Sequence, residues 1–393
     1  MKRHKNIFIL VVLITLVFSY NVSAGTVNGA NYSYATQTGG QALNINPAAV
    51  NIDSRFSMGS FVKGELFNNL LINSYMDKAT KDQLLDKIDK WLITTELQGG
   101  GHLAIGPVAG FFKARGNGYI NLPYQTAELL LEGNSSDNEK DLMVNFSEVE
   151  GKSAVLGDAG FNLSFKVPQT QIHLGLNYHY LTGMIFAVQG NGEIGYRLDE
   201  EGEPDYYGNG KIKVKSNDPA TNLASGSVFD IGLYSKINKK LSLGMSLNNI
   251  GQVSCNKFRY LIIDPSDLEN TLPDDEWKQS EVKLTWNPPL TTNAGIEYQL
   301  TDGFELLGNF SYTKYNANIK DVKYSITSRL SYISSLPLEM GVNYSTMKKD
   351  TNINCGMGLY LGPLKTKVSI TDMKGFFNKA KGSSITFSNS LSF

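Results

Sequence analysis

The stretch from Leu290 to Phe393 constrains the fold of this chain more than any other, because apolar and polar residues alternate through almost all of it. One side of its first repeat carries Leu290, Thr292, Ala294, Ile296, Tyr298 and Leu300. A side-chain period of two over about ten residues, repeated between short polar breaks, predicts consecutive strands of an antiparallel sheet.

The residues between the apolar ones include charged side chains, which are awkward in the buried core of a β-sandwich. The charged members of this second face are Glu297, Glu305, Arg329, Glu339 and Lys367. A sheet that is apolar on one face and charged on the other suits a barrel that is surrounded by lipid and filled with water. We therefore predict an all-β fold, an antiparallel transmembrane β-barrel, with these five side chains facing the lumen and Tyr298, Leu330 and Leu359 facing outwards. These charges either determine which solutes a passage selects, or they pair with one another so that the lumen is close to neutral.

The amino terminus has the three parts of a secretory signal peptide. Residues 2–5 form a basic head, Ile7 to Phe18 form an apolar run, and Val22-Ser23-Ala24 is a small-residue cleavage site. The alternative is a retained membrane anchor, but the apolar run is shorter than the roughly 20 residues that span a bilayer. We predict that residues 1–24 are a cleaved signal peptide and that the protein is exported.

Composition and charge exclude some classes of protein. The formal net charge of -1 leaves no basic excess for nucleic acid, which we exclude as a partner. The 20 tyrosines and 38 glycines are typical of a barrel with aromatic girdles, and also of other secreted β-proteins. Cys255 falls where a predicted strand gives way to a loop, and Cys355 lies far away in the sequence on the apolar face of another strand, so we favour two free thiols over a disulfide.

Two segments ahead of the regular strands are predicted to have other roles. Residues 25–50 are polar and lack a clear period, so they are either an unstructured terminus or a plug tucked into the lumen, ahead of a barrel over residues 51–393. Between Asp77 and Trp91 the apolar residues fall on one side of a helix, which predicts one amphipathic helix that packs on the end of the sheet or covers the pore mouth. We expect Gly99-Gly100-Gly101 to end the helix, and one strand or two around Gly106-Pro107.

Short and long connections alternate along the chain. Tight turns are expected at 168–170, 238–240, 301–303, 334–337 and 361–363, and longer links at 184–224, 251–288, 316–321, 346–352 and 374–382. Short turns on one rim and long loops on the other are typical of bacterial outer-membrane barrels. About thirteen strands show a clear pattern, and we predict about fourteen because single-chain bacterial barrels have even strand numbers. The additional strand is expected between residues 99 and 150 or within 184–224.

No set of side chains indicates catalysis. Outside the signal peptide the histidines are His102, His173 and His179. His173 and His179 share one face of a strand, but at about 3.3 Å per residue they lie too far apart to share a metal ion. We therefore predict no enzyme activity, no metal and no cofactor. We interpret both histidines as solvated, polar residues that face the lumen.

Three stretches resemble parts of a known family. Asn46-Pro47-Ala48, ahead of the first strand, resembles an element near the amino terminus of the FadL-like outer-membrane transporters. The hairpin formed by Phe229 to Tyr234 and Leu241 to Gly251 is similar to one that recurs in that superfamily, whose members include barrels linked to conjugation and to protein secretion. The last strand, with Phe387, Leu391 and the terminal Phe393, resembles the signal that the barrel-insertion machinery reads.

The resemblance to FadL-like transporters implies a barrel of about fourteen strands, a hatch at the amino terminus and passive uptake of hydrophobic molecules. The implied partners are outer-membrane lipid, the insertion machinery and hydrophobic small molecules.

Two functions stay open. In the first, small hydrophobic or amphipathic solutes cross the outer membrane of a Gram-negative cell envelope. In the second, the barrel is a membrane platform whose loops at 184–224 and 251–288 hold part of a secretion or conjugation apparatus. A soluble secreted β-protein is disfavoured by Phe393 and by the charged inner face.

Overall fold

The computed structural model describes residues 50–63, 90–105, 108–123, 142–198, 204–218, 220–263, 277–347, 349–362, 364–371, 373 and 381–392. These residues form β-strands joined by turns and contain no α-helix. The strands are β1 (Val50–Lys63), β2 (Lys90–Ile105), β3 (Val108–Pro123), β4 (Leu142–Asn145), β5 (Glu150–Lys166), β6 (Ile172–Asn191), β7 (Glu193–Leu198), β8 (Pro204–Gly208), β9 (Lys211–Ser216), β10 (Ala224–Lys236), β11 (Leu241–Cys255), β12 (Phe258–Ile263), β13 (Lys278–Ser280), β14 (Leu284–Trp286), β15 (Leu290–Thr301), β16 (Phe304–Lys314), β17 (Lys320–Leu330), β18 (Leu338–Ser345), β19 (Asp350–Leu361), β20 (Leu364–Thr371) and β21 (Lys381–Ser392).

One large antiparallel sheet contains all the long strands. Its neighbours follow the order of the chain: β1, β2, β3, β5, β6, β10, β11 and β15, and then each strand from β15 to β21 beside the next. The first strand has a second partner, because β1 also pairs with β21 from Asn51 opposite Ser392 to Lys63 opposite Lys381. The predicted all-β, antiparallel organisation is therefore correct.

The connections between the long strands alternate in length. Links of two residues, 106–107, 302–303 and 362–363, and slightly longer ones at 167–171, 237–240 and 331–337, lie on what we call the short-turn rim. The opposite, long-loop rim carries the connections after β1, β3, β6 and β11, which include the longest of the chain. Gly303 and Gly362 have φ angles of 91° and 62°, which a two-residue hairpin turn requires and which glycine adopts without strain. The alternation predicted from the sequence is confirmed.

The long connections contain strands of their own. Strand β9 extends the large sheet by pairing with the end of β6 and with β12, β12 pairs with β13, and β14 pairs with the end of β11. A separate small sheet has the order β4-β7-β8. Phe258 of β12 and Trp286 of β14 join buried residues of β5, β6, β10 and β11 in what we call the apolar rim core: Ala154, Leu156, Leu181, Ile185, Ala224, Val228, Val253, Cys255, Phe258 and Trp286.

The two faces of the large sheet are reversed relative to a water-soluble protein. Tyr298, Leu330 and Leu359 are 41%, 40% and 48% exposed, and Ile326 is 63% exposed. The buried residues of the same strands are polar: Asn293, Asp321, Thr327, Ser345 and Asn352. Because neighbouring residues of a strand point to opposite sides, one face presents apolar side chains outwards and the other packs polar side chains inwards.

Two details of the amino-terminal half correct the predictions. The proposed helix over Asp77–Trp91 is wrong at its end, because Lys90 and Trp91 already belong to β2; residues 77–89 lie outside the described ranges. The run Gly99-Gly100-Gly101 lies inside β2 and pairs with β1 and β3, so it does not end a helix. Of the alternatives left open for this region, two strands are present, since β2 ends at Ile105 and β3 begins at Val108; Gly106 and Pro107 lie outside the described residues. Among the described residues, no helix is long and apolar enough to cross a membrane.

Candidate functional site

The polar face of β3, β5, β6 and β10 carries a buried group of ionisable side chains at mid-height, below the apolar rim core. We call Lys113, Arg115, Asp158, His179 and Asp230 the waist cluster. Lys113 lies directly opposite Asp158 in the β3–β5 ladder, and His179 lies on the same face of β6, the next strand. The period of two places each of them on the inward-facing side, and the antiparallel register brings them together.

Asp158 is the centre of the waist cluster. It is completely buried, and its Oδ2 lies 2.9 Å from Nη2 of Arg115 and 4.0 Å from Nζ of Lys113. Its Oδ1 lies 3.0 Å from Nδ1 of His179. A buried carboxylate is tolerated only where cations and hydrogen-bond donors replace its lost hydration, and three such partners surround Asp158.

The ring of His179 bridges two carboxylates. Its Nδ1 faces Asp158, and its Nε2 lies 2.9 Å from Oδ2 of Asp230. An ionised carboxylate only accepts hydrogen bonds, so both contacts are hydrogen bonds when both ring nitrogens carry a proton. The ring is 2% exposed, which corrects the interpretation of His179 as a solvated residue. His173, on the same strand, is partly exposed and lies beside the ring of Tyr234, with centroids 6.1 Å apart.

A relay of amides continues from Asp230 along one row of the sheet. Asn177 donates to Oδ2 of Asp230 over 3.0 Å, and Asn162 donates to Oδ1 of Asn177 over 2.7 Å. All three side chains are buried. Because each amide donates a hydrogen bond to the next acceptor, the relay extends the hydrogen bonding of the waist cluster across β10, β6 and β5.

A β-bulge in β11 completes the waist. The register between β10 and β11 shifts around Asp230, and Asn249 in the bulge has a φ of 65°. This conformation turns the backbone amide of Asn249 towards Asp230, to whose Oδ1 it donates over 2.8 Å. The side chain of Asn249 accepts from Nη1 of Arg115 over 3.0 Å. Strands β5, β6 and β10 lie between β3 and β11 in the sheet, so this bond joins two strands that are not neighbours.

An aromatic ring covers one side of His179. Phe111, Gly160 and His179 lie in one row across β3, β5 and β6. A β-carbon added at Gly160 would lie only 2.5 Å from the ring of Phe111 and 2.0 Å from the carbonyl oxygen of Tyr178. The missing side chain therefore lets Phe111 reach over the middle strand, where its ring centroid lies 4.8 Å from that of His179.

A second charged group lies near the short-turn rim, on β15 to β20. We call it the glutamate cluster, and its members are Glu297, Glu305, Arg329, Glu339 and Lys367. Arg329 lies 2.9 Å from Glu305 through Nη1, 2.9 Å from Glu339 through Nε, and 3.8 Å from Glu297. Lys367 lies 2.7 Å from the other oxygen of Glu339. Two cations thus bridge three carboxylates. The structure brings together all five residues that the alternation assigned to one face.

The two clusters differ in their access to solvent. The side chains of the glutamate cluster are 15–32% exposed. In the waist cluster, Asp158 is 0% and Arg115 is 10% exposed as side chains. The space beside β3 to β11 is therefore filled by the protein's own side chains, whereas the polar face of β15 to β20 is in contact with solvent.

Other candidate residues are placed as follows. Asn46, Pro47, Ala48 and Phe393 lie outside the described residues, as does the side chain of His102. Phe387 lies in β21 and is exposed, and Leu391 lies in the same strand. Cys255 and Cys355 are free, as predicted. Within the described part of the chain, no group of three or more His, Cys, Asp or Glu side chains is arranged to hold a metal ion.

Comparison with known proteins gives one family match. A family model described as "Family of unknown function (DUF5723)" matches residues 41–371. No curated protein matches the sequence.

Several solved structures are similar in strand layout. The toluene transporter TbuX of Ralstonia pickettii has 10% identity, covers 89% of this chain and 92% of its own, and gives a TM-score of 0.47. A FadL homologue of Pseudomonas aeruginosa has 12% identity, 94% and 99% coverage and a TM-score of 0.47. The toluene transporter TodX of P. putida has 10% identity, 88% coverage of each chain and a TM-score of 0.42. A FadL homologue is thus among the similar structures.

Proposed function

The chain belongs to the DUF5723 family of unknown function, and from its geometry we propose that it is an outer-membrane β-barrel protein through which small hydrophobic or amphipathic solutes cross the membrane passively. The observation that carries this proposal is the reversal of the two faces of the sheet. In water, the exposed apolar face would cost free energy in proportion to its area, at roughly 25 cal/mol per Å². In a bilayer the same face is the favourable contact surface.

We take the sheet to be a closed barrel of about fourteen strands. Two observations support closure: β1 has partners on both of its edges, and every long strand lies beside the next long strand of the chain. In bacterial barrels the short turns face the periplasm and the long loops face outwards. The long-loop rim is then external, and Val50 and Ser392 lie at the periplasmic rim.

The ends of the chain complete the proposal. Residues 1–24 are a cleaved signal peptide, and residues 25–50 are a plug that includes the Asn46-Pro47-Ala48 element. Phe387, Leu391 and Phe393 form the signal for the insertion machinery. The exposed, apolar-side position of Phe387 supports this role. The protein has no catalytic role in this proposal, and its other partner is outer-membrane lipid.

The route of a solute follows from the difference between the two clusters. The waist cluster fills the space beside β3 to β11 and links Arg115 to Asn249 across it. The polar face of β15 to β20 is solvent-accessible and bears the glutamate cluster. We therefore place the passage along β15 to β20, with Arg329 and its glutamates as the charged group that solutes meet.

Transport is tested with the mature protein, residues 25–393, in liposomes. The expected result is slow uptake of an uncharged aromatic probe, and faster uptake by a chain that lacks residues 25–49, because the deletion removes the proposed plug. Empty liposomes and liposomes that hold heat-unfolded protein are the controls. Failure of both chains to raise uptake above these controls would contradict a transport function.

The glutamate cluster gives a second test. Arg329→Gln removes the cation that bridges Glu297, Glu305 and Glu339, so the passage becomes more negative and should favour cations. The expected result, in a planar bilayer with a KCl gradient, is a reversal potential shifted towards that of K⁺. Lys240→Gln, in an exposed turn, is the matched control and should leave the potential unchanged. Equal reversal potentials for the two variants would place the passage elsewhere.

A second function is favoured by one observation. The long connection after β11 is folded, because β12, β13 and β14 pair with neighbouring strands and Phe258 and Trp286 belong to the apolar rim core, so it offers a structured surface at the long-loop rim. Such a surface suits a membrane platform for a secretion or conjugation apparatus. Crosslinking in cells that captures one dedicated envelope protein, together with absent uptake in liposomes, would favour the platform.

A further inference from the structure

A cavity lies at the long-loop rim, away from both charged clusters. Its volume is about 350 Å³, and it is bounded by the ends of β3 and β5 on one side and by residues 286–290 and 314–317 on the other. Strands β6, β10, β11 and β15 separate β5 from β16 in the sheet. The cavity therefore lies between opposite parts of the rim, where a solute from outside would first meet the protein.

Hydrogen bonds across the mouth hold this cavity open. Asn316 donates to the hydroxyl of Tyr119 over 2.9 Å, and that hydroxyl donates to Oε1 of Glu150 over 2.9 Å. The rings of Tyr119 and Tyr315 pack edge to face, with centroids 6.4 Å apart. The loop between β16 and β17 is thus fixed against β3, and the cavity exists before any ligand arrives.

The lining of the cavity combines flat rings with cations. The partly exposed Tyr315 and Pro289 give the cavity flat apolar surface, and the buried Tyr119, Trp286 and Pro288 complete its apolar lining. Lys152 and Lys314 line the cavity on opposite sides. Among the described residues that line the cavity, none is Asp or Glu. The nearby carboxylate of Glu150 already accepts hydrogen bonds from Tyr119 and, at 3.4 Å, from Asn316.

Further lysines lie beside Lys152. The register places Lys152, Ala187, Lys215 and Tyr260 in one row across β5, β6, β9 and β12, so their side chains share a face. Lys213, two residues from Lys215, lies on the same face, with Nζ 4.0 Å from the centroid of the Tyr260 ring. Burial and then the neighbouring ammonium groups of Lys213 and Lys152 lower the pKa of Lys215. Three lysines, Lys152, Lys213 and Lys215, therefore share one face of the sheet beside the cavity.

We propose that the cavity is an entry site for aromatic carboxylates. The ring system of the solute packs on the partly exposed Tyr315 and Pro289, and its carboxylate lies between Lys152 and Lys314. A plain hydrocarbon would desolvate the two ammonium groups without replacing their hydrogen bonds, so an anionic group is required. The inference rests on the proposed transport function and names the solute class within it.

Binding is tested with 2-naphthoate and with its uncharged analogue 2-naphthamide, on the full mature protein in lipid nanodiscs, by isothermal titration calorimetry. We expect 2-naphthoate to bind more tightly than 2-naphthamide. We expect its affinity to fall about tenfold in Lys152→Gln and in Lys314→Gln, because each removes one charge-assisted contact. Lys152→Arg should retain most of the affinity. Lys240→Gln, on the opposite rim, is the matched control and should bind as the unsubstituted protein does.

Equal affinity for the two probes, or unchanged affinity in both glutamine variants, would overturn the entry site. Uptake of 2-naphthoate into liposomes separates this result from the transport function. Lysine-dependent binding without uptake would contradict transport and leave the site standing. Uptake that is equal in the unsubstituted protein and in both glutamine variants, with no lysine-dependent binding, would contradict the site and leave transport standing.

Discussion

Replacement of Asp158 by Ala is expected to lower the free energy of unfolding by about 3–5 kcal/mol, the cost of breaking a buried ion pair by removing one partner. Asp158 is completely buried and is the carboxylate that Arg115, Lys113 and His179 share. Without it, these three groups remain buried with one acceptor fewer and a net positive charge. The measurement is the urea midpoint of the protein refolded into lipid vesicles, followed by tryptophan fluorescence.

The controls for this substitution separate charge from shape. Asp158→Asn keeps the size of the side chain and one acceptor oxygen, so its loss should lie between those of the unsubstituted protein and Asp158→Ala. Asp302→Ala removes a carboxylate from an exposed hairpin turn, and its effect should stay within about 0.5 kcal/mol. If Asp158→Ala and Asp302→Ala unfold at the same urea concentration, the waist cluster does not stabilise the fold.

Replacement of Ile326 by Arg is expected to cost about 2–4 kcal/mol in the membrane, the range for a cation on the lipid face of a barrel near mid-bilayer. Ile326 lies in the middle of β17, between Gly308 and Val342 on the neighbouring strands, and is 63% exposed. The guanidinium would have to leave water for hydrocarbon. The urea midpoint in vesicles and the yield of folded, inserted protein both report the cost.

The matched control for Ile326 is the residue beside it. Ser325 points to the opposite face and accepts a hydrogen bond from Asn309 over 3.2 Å. Ser325→Arg should cost less than about 1 kcal/mol, because a polar, solvated face accommodates an added charge. A larger loss for Ser325→Arg than for Ile326→Arg would mean that the polar face is the one in contact with lipid, and the proposed orientation of the sheet would be wrong.

The sequence predicted the strands and the glutamate cluster because both depend on local periodicity. In a strand, the parity of a residue number decides its face, so Glu305 and Arg329 could be assigned to one side without knowledge of the fold. Consecutive hairpins then bring such residues together, since each strand pairs with the one before it. The turn lengths could also be predicted from the sequence, because short turns such as Asp302-Gly303 leave few ways to connect two antiparallel strands.

The waist cluster could not be predicted from the same pattern. Its geometry depends on the bulge at Asn249, which shifts the register and turns a backbone amide towards Asp230. It also depends on curvature that brings Arg115 of β3 within reach of β11. A usable signal was present: Asp158, His179 and Asp230 occupy inward-facing positions of three neighbouring strands. The helix prediction failed at Trp91 because a short apolar window fits a period of two as well as one of 3.6.

The pairing of β1 with β21 has a consequence for biogenesis. The partner of β1 follows all the other long strands in the chain, so the hydrogen-bonding edge at Val50–Lys63 has no β21 to pair with until Lys381–Ser392 has been synthesised. A chain shortened before Lys381 would keep two open edges, on β1 and on β20, and such edges recruit other chains into aggregates. Until β21 has been made, the edge of β1 is therefore open to pairing with other chains.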